Sequence, residues 1–290
     1  MRRTMLYLPG NNPNMLLRGH LFGADGLILD LEDAVSRSEK GPSRILVREI
    51  LKHRDFDRCE ITVRINGLDT EFWRDDLASV VPYGIHGIRV PKVETPQALK
   101  DIDDALSALE SMSSVPVGAT KVFCLLETAL GIWNAYDIAR ASARVTAIIP
   151  GGEDLAADLR TSRSKDGTEL DWARRMMVIA ARAAGVDALD TAFPRIGDEE
   201  GLRRETEFAK QLGFDGKSVI HPNQIPIVHE IYDPTEAEIE KAKKIVQAAT
   251  DAAAKGLGAV SVDGRMVDLP VVRRAEYTLE RAGVITGRGR

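Results

Sequence analysis

The stretch LILDLEDAV, residues 27–35, places a run of aliphatic side chains directly before three carboxylates, those of Asp30, Glu32 and Asp33. The aliphatic part predicts a buried strand, because a strand covered on both faces is apolar almost throughout. Carboxylates are costly to bury without a partner. We therefore expect the three acids at the end of the strand, which is where catalytic groups gather in barrel enzymes.

Strand-like runs of this kind alternate with amphipathic helices along most of the chain. The predicted strands are residues 4–9, 26–33, 61–66, 87–93, 121–128, 145–152, 186–193 and 216–222. Between them lie stretches such as TPQALKDIDDALSALESM, with the three- and four-residue apolar spacing of a helix. Repeated strand–helix units require parallel pairing, and eight of them predict an α/β fold, the closed (β/α)8 TIM barrel. No GxGxxG motif follows the first strand, so the sequence does not favour a dinucleotide-binding sheet.

The barrel is predicted to occupy residues 1–232, and residues 233–290 are predicted to form a C-terminal helical appendage. Residues 235–256 predict one long helix, followed by a turn, a short extended piece and a last helix. These helices would expose an apolar stripe if they were isolated. We therefore expect the appendage to form an interface, either with the barrel or with a neighbouring subunit.

The composition narrows the class of protein further. A chain of 290 residues that is 44% hydrophobic can bury a large core. It contains no apolar run long enough to span a membrane and no signal-peptide pattern, so we expect a cytoplasmic protein. A net charge of −5 without a long basic block argues against nucleic-acid binding. Cys59 and Cys124 stand far apart with no CxxC motif, which argues against disulfides and a thiolate metal site.

Other predicted strands also end in charged residues. Arg64 ends the third strand, Glu127 the fifth, and Asp154 follows the sixth. Carboxylates without histidine or cysteine partners favour a hard cation, so Glu127 and Asp154 are predicted magnesium ligands. The planar fork of Arg64 suits the carboxylate of a keto acid. Together, metal and arginine could stabilise oxygen charge while a carbon–carbon bond is cleaved or formed through an enolate.

A series of longer motifs runs in order through the whole chain: MLYLPGNNPNM, LILDLEDAV, VRINGLDTEF, IRVPKVET, LLETALGI, GGEDLAADLRTSRSKDGTELDWAR, LGFDGKSVIHPNQI and GLGAVSVDGRMVDLPVVRRA. In these motifs the chain resembles the aldolase family that contains the citrate lyase β subunit, a citryl thioester lyase, together with the malyl-CoA and citramalyl-CoA lyases. The resemblance implies a (β/α)8 barrel, a Mg²⁺ ion and reversible cleavage of a 3-hydroxyacyl thioester into an acyl thioester and a 2-keto acid. In citrate lyase, an acyl carrier protein holds the thioester, and the products are an acetyl thioester and oxaloacetate.

The resemblance also implies roles for single residues. Glu127 in LLETALGI and Asp154 in GGEDLA match the metal ligands of the family. Arg64 in VRIN matches the arginine that binds the keto acid. Glu32 and Asp33 in DLEDAV match the catalytic acidic pair beside the metal.

Three further residues keep two interpretations each. Asp268 in DGRMVDLP matches the acid/base aspartate that related lyases donate from a neighbouring subunit, but its position before Pro270 also suits a helix cap. Lys40 and Arg44 follow the acidic strand, where a family member could use them for coenzyme A phosphates. A solvated helix face would carry the same two residues.

These features predict a magnesium-dependent lyase that cleaves a citryl thioester carried by an acyl carrier protein or by coenzyme A. A stand-alone citramalyl-CoA or malyl-CoA lyase is the alternative, and an inactive assembly subunit is a third possibility that intact Arg64, Glu127 and Asp154 disfavour. The expected partners are a 2-keto acid, an acyl thioester, and the acyl carrier protein and transferase subunits of a lyase complex. A homo-oligomer, trimer or hexamer, is also expected. The sequence leaves the keto acid and the thioester carrier open.

Overall fold

Eight short strands form a closed barrel in which every neighbouring pair is parallel. The strands are β1 (Thr4–Pro9), β2 (Gly26–Asp30), β3 (Glu60–Arg64), β4 (Gly87–Val90), β5 (Lys121–Leu126), β6 (Val145–Pro150), β7 (Asp187–Asp190) and β8 (Gly216–Val219). Pairing of β1 with both β2 and β8 closes the ring. The computed structural model describes residues 1–53, 56, 59–254 and 256–284. The predicted (β/α)8 barrel is confirmed.

Helices follow the strands. They are α1 (Pro13–Arg18), α2 (Lys40–His53), α3 (Trp73–Val80), α4 (Pro96–Met112), α5 (Ala129–Trp133), α6 (Ala135–Ala139), α7 (Gly152–Asp158), α8 (Asp171–Ala184), α9 (Glu199–Leu212) and α10 (Gln224–Tyr232). Helix α4 shows how the sequence sets them. Pro96 stands in its first turn, where the missing amide hydrogen costs nothing, and Leu99, Ile102 and Leu106 repeat at helical spacing and are buried.

Apolar side chains from several strands meet in one cluster. It contains Met5, Ile28, Phe123, Leu125, Ala147, Ile149 and Leu189, with Tyr7 packed against it. Phe123 and Leu125 are two positions apart on β5, as are Ala147 and Ile149 on β6. Residues at this spacing point to the same face of a strand, so the cluster fills the interior of the barrel. The interior is packed below the strand ends, and this packing leaves the carboxyl ends for polar groups.

Several strands end earlier than the sequence predicts, and β2 shows why. The predicted strand reached residue 33, whereas β2 ends at Asp30. Asp30 Oδ1 accepts a hydrogen bond from the Glu32 amide at 2.9 Å, and Oδ2 accepts one from the Ala34 amide at 3.3 Å. The side chain thus satisfies backbone donors that a longer strand would have paired, and it turns the chain at that point.

The chain divides into two compact units, Arg2–His229 and a second unit of Met1 with Glu230–Arg290. The second unit contains α11 (Glu236–Ala254), a hairpin of β9 (Val260–Val262) and β10 (Arg265–Val267), and α12 (Leu269–Arg281). Asp263 and Gly264, between the hairpin strands, both have positive φ angles, as a tight two-residue turn requires. This order matches the predicted long helix, extended piece and last helix. Residue 255 of the predicted long helix and residues 285–290 of the predicted appendage lie outside the described residues.

No helix in the described part of the chain combines the length and the apolar character needed to cross a membrane. Cys59 and Cys124 are both buried free thiols. They act as small core residues, as their isolated positions in the sequence indicated.

A network of buried charges joins the last two barrel strands to helix α8. The Asp190 carboxylate on β7 accepts hydrogen bonds from Arg174 Nε at 2.9 Å and from Lys217 Nζ at 2.7 Å. Lys217 Nζ also donates to Glu205 Oε1 at 2.6 Å. Lys217 and Asp190 are completely buried. Burial by itself disfavours the charged carboxylate, but the two cations hold the pKa of Asp190 below its usual range.

Removing the central carboxylate of this network should destabilise the barrel strongly. Asp190→Asn leaves two buried cations without their main counter-charge, so we expect the free energy of unfolding to fall by about 3 kcal/mol or more. Urea unfolding measures this change. The control is Asp171→Asn, which breaks the exposed Asp171–Arg175 pair and should cost less than about 1 kcal/mol. Equal losses in the two variants would contradict the structural role of the network.

Candidate active site

A cavity of about 480 Å³ opens at the carboxyl ends of the barrel strands. Its wall includes Arg64, Glu127 and Asp154, together with Asp30 and Asp33. These residues are distant in sequence, and the parallel barrel brings them together because all its strands point to the same end. The structure thus assembles at one place most of the charged strand-end residues that the sequence singled out.

Arg64 is held by Asp30 at the level where β2 and β3 pair. The Cα atoms of the two residues are partners in the register of these strands. Arg64 Nε donates to Asp30 Oδ1 at 2.7 Å, and Nη2 donates to Oδ2 at 2.6 Å. The Arg64 guanidinium also lies over the ring of Tyr7, 5.0 Å from its centroid. The two-pronged face predicted to bind a keto acid is therefore occupied by Asp30.

The acidic pair Glu32 and Asp33 lies on the Nη1 side of Arg64. Nη1 is 2.9 Å from Glu32 Oε2 and 3.2 Å from Asp33 Oδ2. Glu32 is buried, and its Oε2 has no well-directed hydrogen bond from the described residues. Burial raises the pKa of Glu32, Arg64 opposes this effect, and the charges of Asp33 and Glu127 reinforce it. Such a carboxylate is suited to exchanging a proton or holding an ordered water molecule.

Glu127 is positioned by the backbone that follows β4. The Lys92 amide donates to Glu127 Oε1 at 2.8 Å. Lys92 has a φ angle of 52°, in the left-handed region that non-glycine residues rarely adopt. On the other side, a Cβ atom at Gly151 would come within 2.3 Å of Glu127 Oε2. The amide of the strained Lys92 therefore holds this carboxylate, and the missing side chain at Gly151 leaves room for it.

The carboxylates of Glu127 and Asp154 suit a small divalent cation. Burial raises the pKa of Glu127, and the negative charge of Asp154 raises it further. A cation between them would remove this repulsion. The described residues contain no group of three or more histidine, cysteine, aspartate or glutamate side chains that could hold a metal. A pair of carboxylates is nevertheless enough for Mg²⁺, which keeps several waters and takes few protein ligands. The predicted ligand pair fits the ion.

Lys40 and Arg44 contact the protein itself in this structure. Lys40 Nζ donates to the carbonyl oxygens of Leu31 and Glu32 at 2.8 and 2.6 Å. Arg44 Nε donates to Asp76 Oδ1 at 2.9 Å, and the Arg44 side chain is largely buried. These contacts hold the segment after β2 and tie α2 to α3. Coenzyme A binding by the two residues stays a prediction that this geometry does not favour.

Asp268 belongs to the second unit, where it precedes α12. Its Oδ1 accepts a hydrogen bond from the Val271 amide at 3.4 Å, and Pro270 stands in the first turn of the helix. This is the arrangement of a helix cap. The cap interpretation is confirmed, and the catalytic interpretation stays a prediction.

Two residues of the site, Asp30 and Lys92, have roles that the sequence did not predict. Asp30 was grouped with the strand-end acids, but it is the partner of Arg64. Lys92 has no role that its sequence position predicts, but its backbone amide holds Glu127. The sequence signal for Asp30 was its position at the end of β2. No sequence signal marked the left-handed backbone at Lys92.

A (β/α)8 barrel with an arginine and several carboxylates in the cavity at its carboxyl ends has the architecture of a barrel enzyme. Residues 3–222 match the model of the HpcH/HpaI aldolase/citrate lyase family. The chain belongs to this family.

Similar proteins cover nearly the whole chain. It is 46% identical to the citrate lyase subunit beta of Leuconostoc mesenteroides subsp. cremoris, over 97% of this chain and 93% of the relative. It is 37% identical to a (3S)-malyl-CoA thioesterase of Cereibacter sphaeroides (strain ATCC 17025), over 99% of this chain and 96% of the relative.

The chain is also similar to solved structures of proteins named as citrate lyase beta subunit or CitE. The CitE protein of Mycobacterium tuberculosis in complex with magnesium, acetoacetate and coenzyme A is 31% identical, with a TM-score of 0.79 over 97% of this chain and 98% of that one. A citrate lyase beta subunit from the same organism, complexed with oxaloacetate and magnesium, is 31% identical, with a TM-score of 0.67 over 80% of this chain and 96% of that one.

Changing Glu127 should separate cation binding from folding. Glu127→Gln keeps the shape of the side chain and removes its charge, so we expect Mg²⁺ affinity to fall at least about 100-fold. The melting temperature should not fall, because burial already disfavours the charged form. Calorimetric titration with Mg²⁺ and thermal unfolding measure the two effects. Glu153→Gln, at the exposed neighbour of Asp154, is the control and should bind Mg²⁺ nearly as the wild type does. Unchanged affinity in Glu127→Gln would rule out this ligand.

Arg64→Lys should weaken both the fold and ligand binding. Lysine keeps the positive charge but cannot give Asp30 two parallel hydrogen bonds, so we expect a loss of about 1–3 kcal/mol in the free energy of unfolding. Keto-acid affinity should fall as well, because the guanidinium no longer fixes the acidic side of the cavity. The exposed Arg37–Glu71 pair supplies the control, and Arg37→Lys should leave stability within about 0.5 kcal/mol of wild type. If both variants are as stable as the wild type, Asp30 does not depend on the Arg64 fork.

Proposed function

We propose that the protein is a magnesium-dependent carbon–carbon lyase that cleaves a citryl thioester to an acetyl thioester and oxaloacetate. The observation that carries the proposal is the Glu127–Asp154 pair in the barrel cavity, beside Arg64, in a chain of the citrate lyase family. The relatives support the substrate class, since one is named as citrate lyase subunit beta, and solved relatives hold magnesium, oxaloacetate or coenzyme A.

Glu127 and Asp154 would hold the cation, and Arg64, which lines the same cavity, would contact the keto acid. Bound magnesium supplies a Lewis acid that stabilises negative charge on substrate oxygen. Asp33 adds a carboxylate to the cavity wall, Glu32 lies beside it at Arg64, and both can accept hydrogen bonds from water or from the substrate hydroxyl. In the cleavage, the hydroxyl group loses its proton, the carbon–carbon bond breaks and its electron pair passes to the acetyl thioester as an enolate. The enolate carbon then takes up a proton, which leaves the acetyl thioester and oxaloacetate.

Asp268 is the proposed donor of that last proton, acting in the site of a neighbouring subunit. The proposal includes a homo-oligomer, a trimer or a hexamer, because an acid supplied by a neighbour requires an interface. A carboxyl group within hydrogen-bond reach of the enolate carbon can protonate it. Support comes from the family motif DGRMVDLP around Asp268.

Subunit mixing tests the shared site. Asp268→Asn keeps the size of the side chain and its capping oxygen but removes the acid. Arg64→Ala removes the substrate arginine. Neither variant should be active alone, but mixed oligomers should recover part of the activity, because some interfaces join an intact Arg64 to an intact Asp268. Mass spectrometry establishes that hetero-oligomers have formed. Hetero-oligomers without recovered activity would contradict the shared site.

A lyase or thioesterase acting on free coenzyme A thioesters is the second candidate. The observation that favours it is the 37% identity to a (3S)-malyl-CoA thioesterase over nearly the whole chain. Assays with Mg²⁺ against citryl-CoA, citramalyl-CoA and malyl-CoA distinguish the two. Oxaloacetate released from citryl-CoA supports the first proposal. Glyoxylate from malyl-CoA or pyruvate from citramalyl-CoA supports a stand-alone lyase, and malate released without cleavage supports a thioesterase.

The carrier and the assembly are further parts of the proposal. Relatives named as subunits support a complex with an acyl carrier protein and transferase subunits. Free coenzyme A could also carry the thioester, in which case Lys40 and Arg44 would have to leave their present contacts to bind its phosphates. The two buried free thiols suit a reducing, cytoplasmic location. Co-purification with a small carrier protein would favour the complex.

A further inference from the structure

Arg89 is a buried cation without an acidic partner in the described part of the barrel. It lies on β4, is completely buried, and its Cα is the register partner of Arg64 on β3. Arg64 is paired with Asp30, but Arg89 forms no ion pair with a described residue. Its Nε and Nη2 atoms also lack hydrogen-bond partners among those residues. An uncompensated buried charge is strongly unfavourable, so this one suits a counter-charge that comes from a ligand.

Ser218 connects Arg89 to the cavity. Arg89 Nη1 donates to Ser218 Oγ at 3.1 Å, and Ser218 lines the cavity wall. A guanidinium has only donors, so the Ser218 oxygen must accept this bond, and its own hydroxyl hydrogen remains for another acceptor. The Tyr7 side chain, which also lines the cavity, interacts with the same guanidinium, whose Cζ lies 5.6 Å from the ring centroid. Arg89 thus lies behind two hydroxyl-bearing residues that line the cavity.

Most charged residues on the cavity wall are acids, so the region of Ser218 and Tyr7 near Arg89 differs in charge from the rest of the wall. Asp30, Asp33, Glu127 and Asp154 line the wall, and Asp30 occupies the fork of Arg64. A bound cation would offset the negative charge of Glu127 and Asp154 but not that of the other acids. A ligand with two carboxylates therefore needs a second place without acidic neighbours, and the hydroxyl groups of Ser218 and Tyr7 provide hydrogen-bond donors backed by a positive charge.

We propose that Ser218 and Tyr7, backed by Arg89, form a subsite for the carboxylate of a dicarboxylic 2-keto acid that lies farther from the keto group. This inference rests on the proposed function, since it assumes that the keto group itself lies at the Glu127–Asp154 side. It makes Ser218 a specificity-determining residue and Arg89 a positioning residue that acts through Ser218. The subsite selects ligands with a second carboxylate over ligands that end in a methyl group.

Two ligands of equal carbon number provide the test. Oxaloacetate and 2-oxobutanoate differ in that a carboxylate of the first is replaced by a methyl group in the second. Calorimetric titration of the magnesium-loaded protein gives the Kd of each. The wild type should bind oxaloacetate more tightly, and Ser218→Ala should reduce this preference about tenfold, because a hydrogen bond to a charged group is lost. Binding of 2-oxobutanoate should stay within about twofold of wild type.

Ser43→Ala is the matched control. Ser43 is a buried serine on α2 whose hydroxyl group lacks a hydrogen-bond partner among the described residues, and it does not line the cavity. This variant should keep the wild-type preference. Arg89→Met removes the charge without removing the bulk, and it should lose the preference while melting at or above the wild-type temperature. If Arg89→Met does not fold, Ser218→Ala still decides the question.

The outcomes separate the subsite from the proposed function. An unchanged preference for oxaloacetate in Ser218→Ala overturns the subsite and leaves the lyase proposal intact. An equal loss of affinity for both ligands also overturns it, because it shows a general effect on the cavity. If the wild type binds neither ligand in the presence of Mg²⁺, the proposed function fails and the subsite fails with it.

Discussion

The ion pair between Asp30 and Arg64 is the contact on which the site depends. The register of β2 and β3 places the two residues side by side, and two hydrogen bonds join them. Because Asp30 also accepts from the Glu32 and Ala34 amides, the same carboxylate ends the strand and directs the acidic segment over the cavity. Arg64 also forms ion pairs with Glu32 and Asp33 through Nη1. One pair of side chains thus sets the strand end, the turn and the acidic wall.

Charge is distributed unevenly inside the barrel, and the distribution follows the strands. At β7 and β8 the buried charges compensate one another, since Asp190 lies between Arg174 and Lys217. In the cavity, the acids that line the wall exceed their cations, and nearby Arg89 forms no ion pair with a described residue. The compensated side stabilises the barrel. The uncompensated side is arranged for ions that arrive from solution, a cation at the carboxylates and an anion near Arg89.

The sequence predicted the architecture well because strands and helices have distinct apolar periods. All eight strand starts lie within one residue of their predicted positions, whereas β2 and β5 end before the predicted residues 33 and 128. The predicted strand ends are too late for a physical reason. The strand-like pattern in the sequence runs on to acids such as Glu32, whereas the backbone has already turned before them. Strand-end position also located Arg64, Glu127 and Asp154. The position of a residue at a strand end does not predict which residue it contacts. The partner of Arg64 depends on strand register, and the left-handed backbone at Lys92 depends on the neighbouring strand.

Lys92 has two functions, one carried by its backbone amide and one by its side chain, and the left-handed backbone lets a substitution change one without the other. The amide of this residue holds Glu127, and its ammonium group lies 3.7 Å from Glu32 Oε1. Glycine adopts a positive φ angle without the steric cost that lysine bears. A glycine at this position would therefore delete the ammonium group and retain the amide, with less conformational strain than the natural residue carries. At most positions in a folded chain, truncating a side chain leaves backbone strain as it was; here it would relieve strain. Glycine at position 92 would thus cost the site one cation and would keep the turn that positions Glu127.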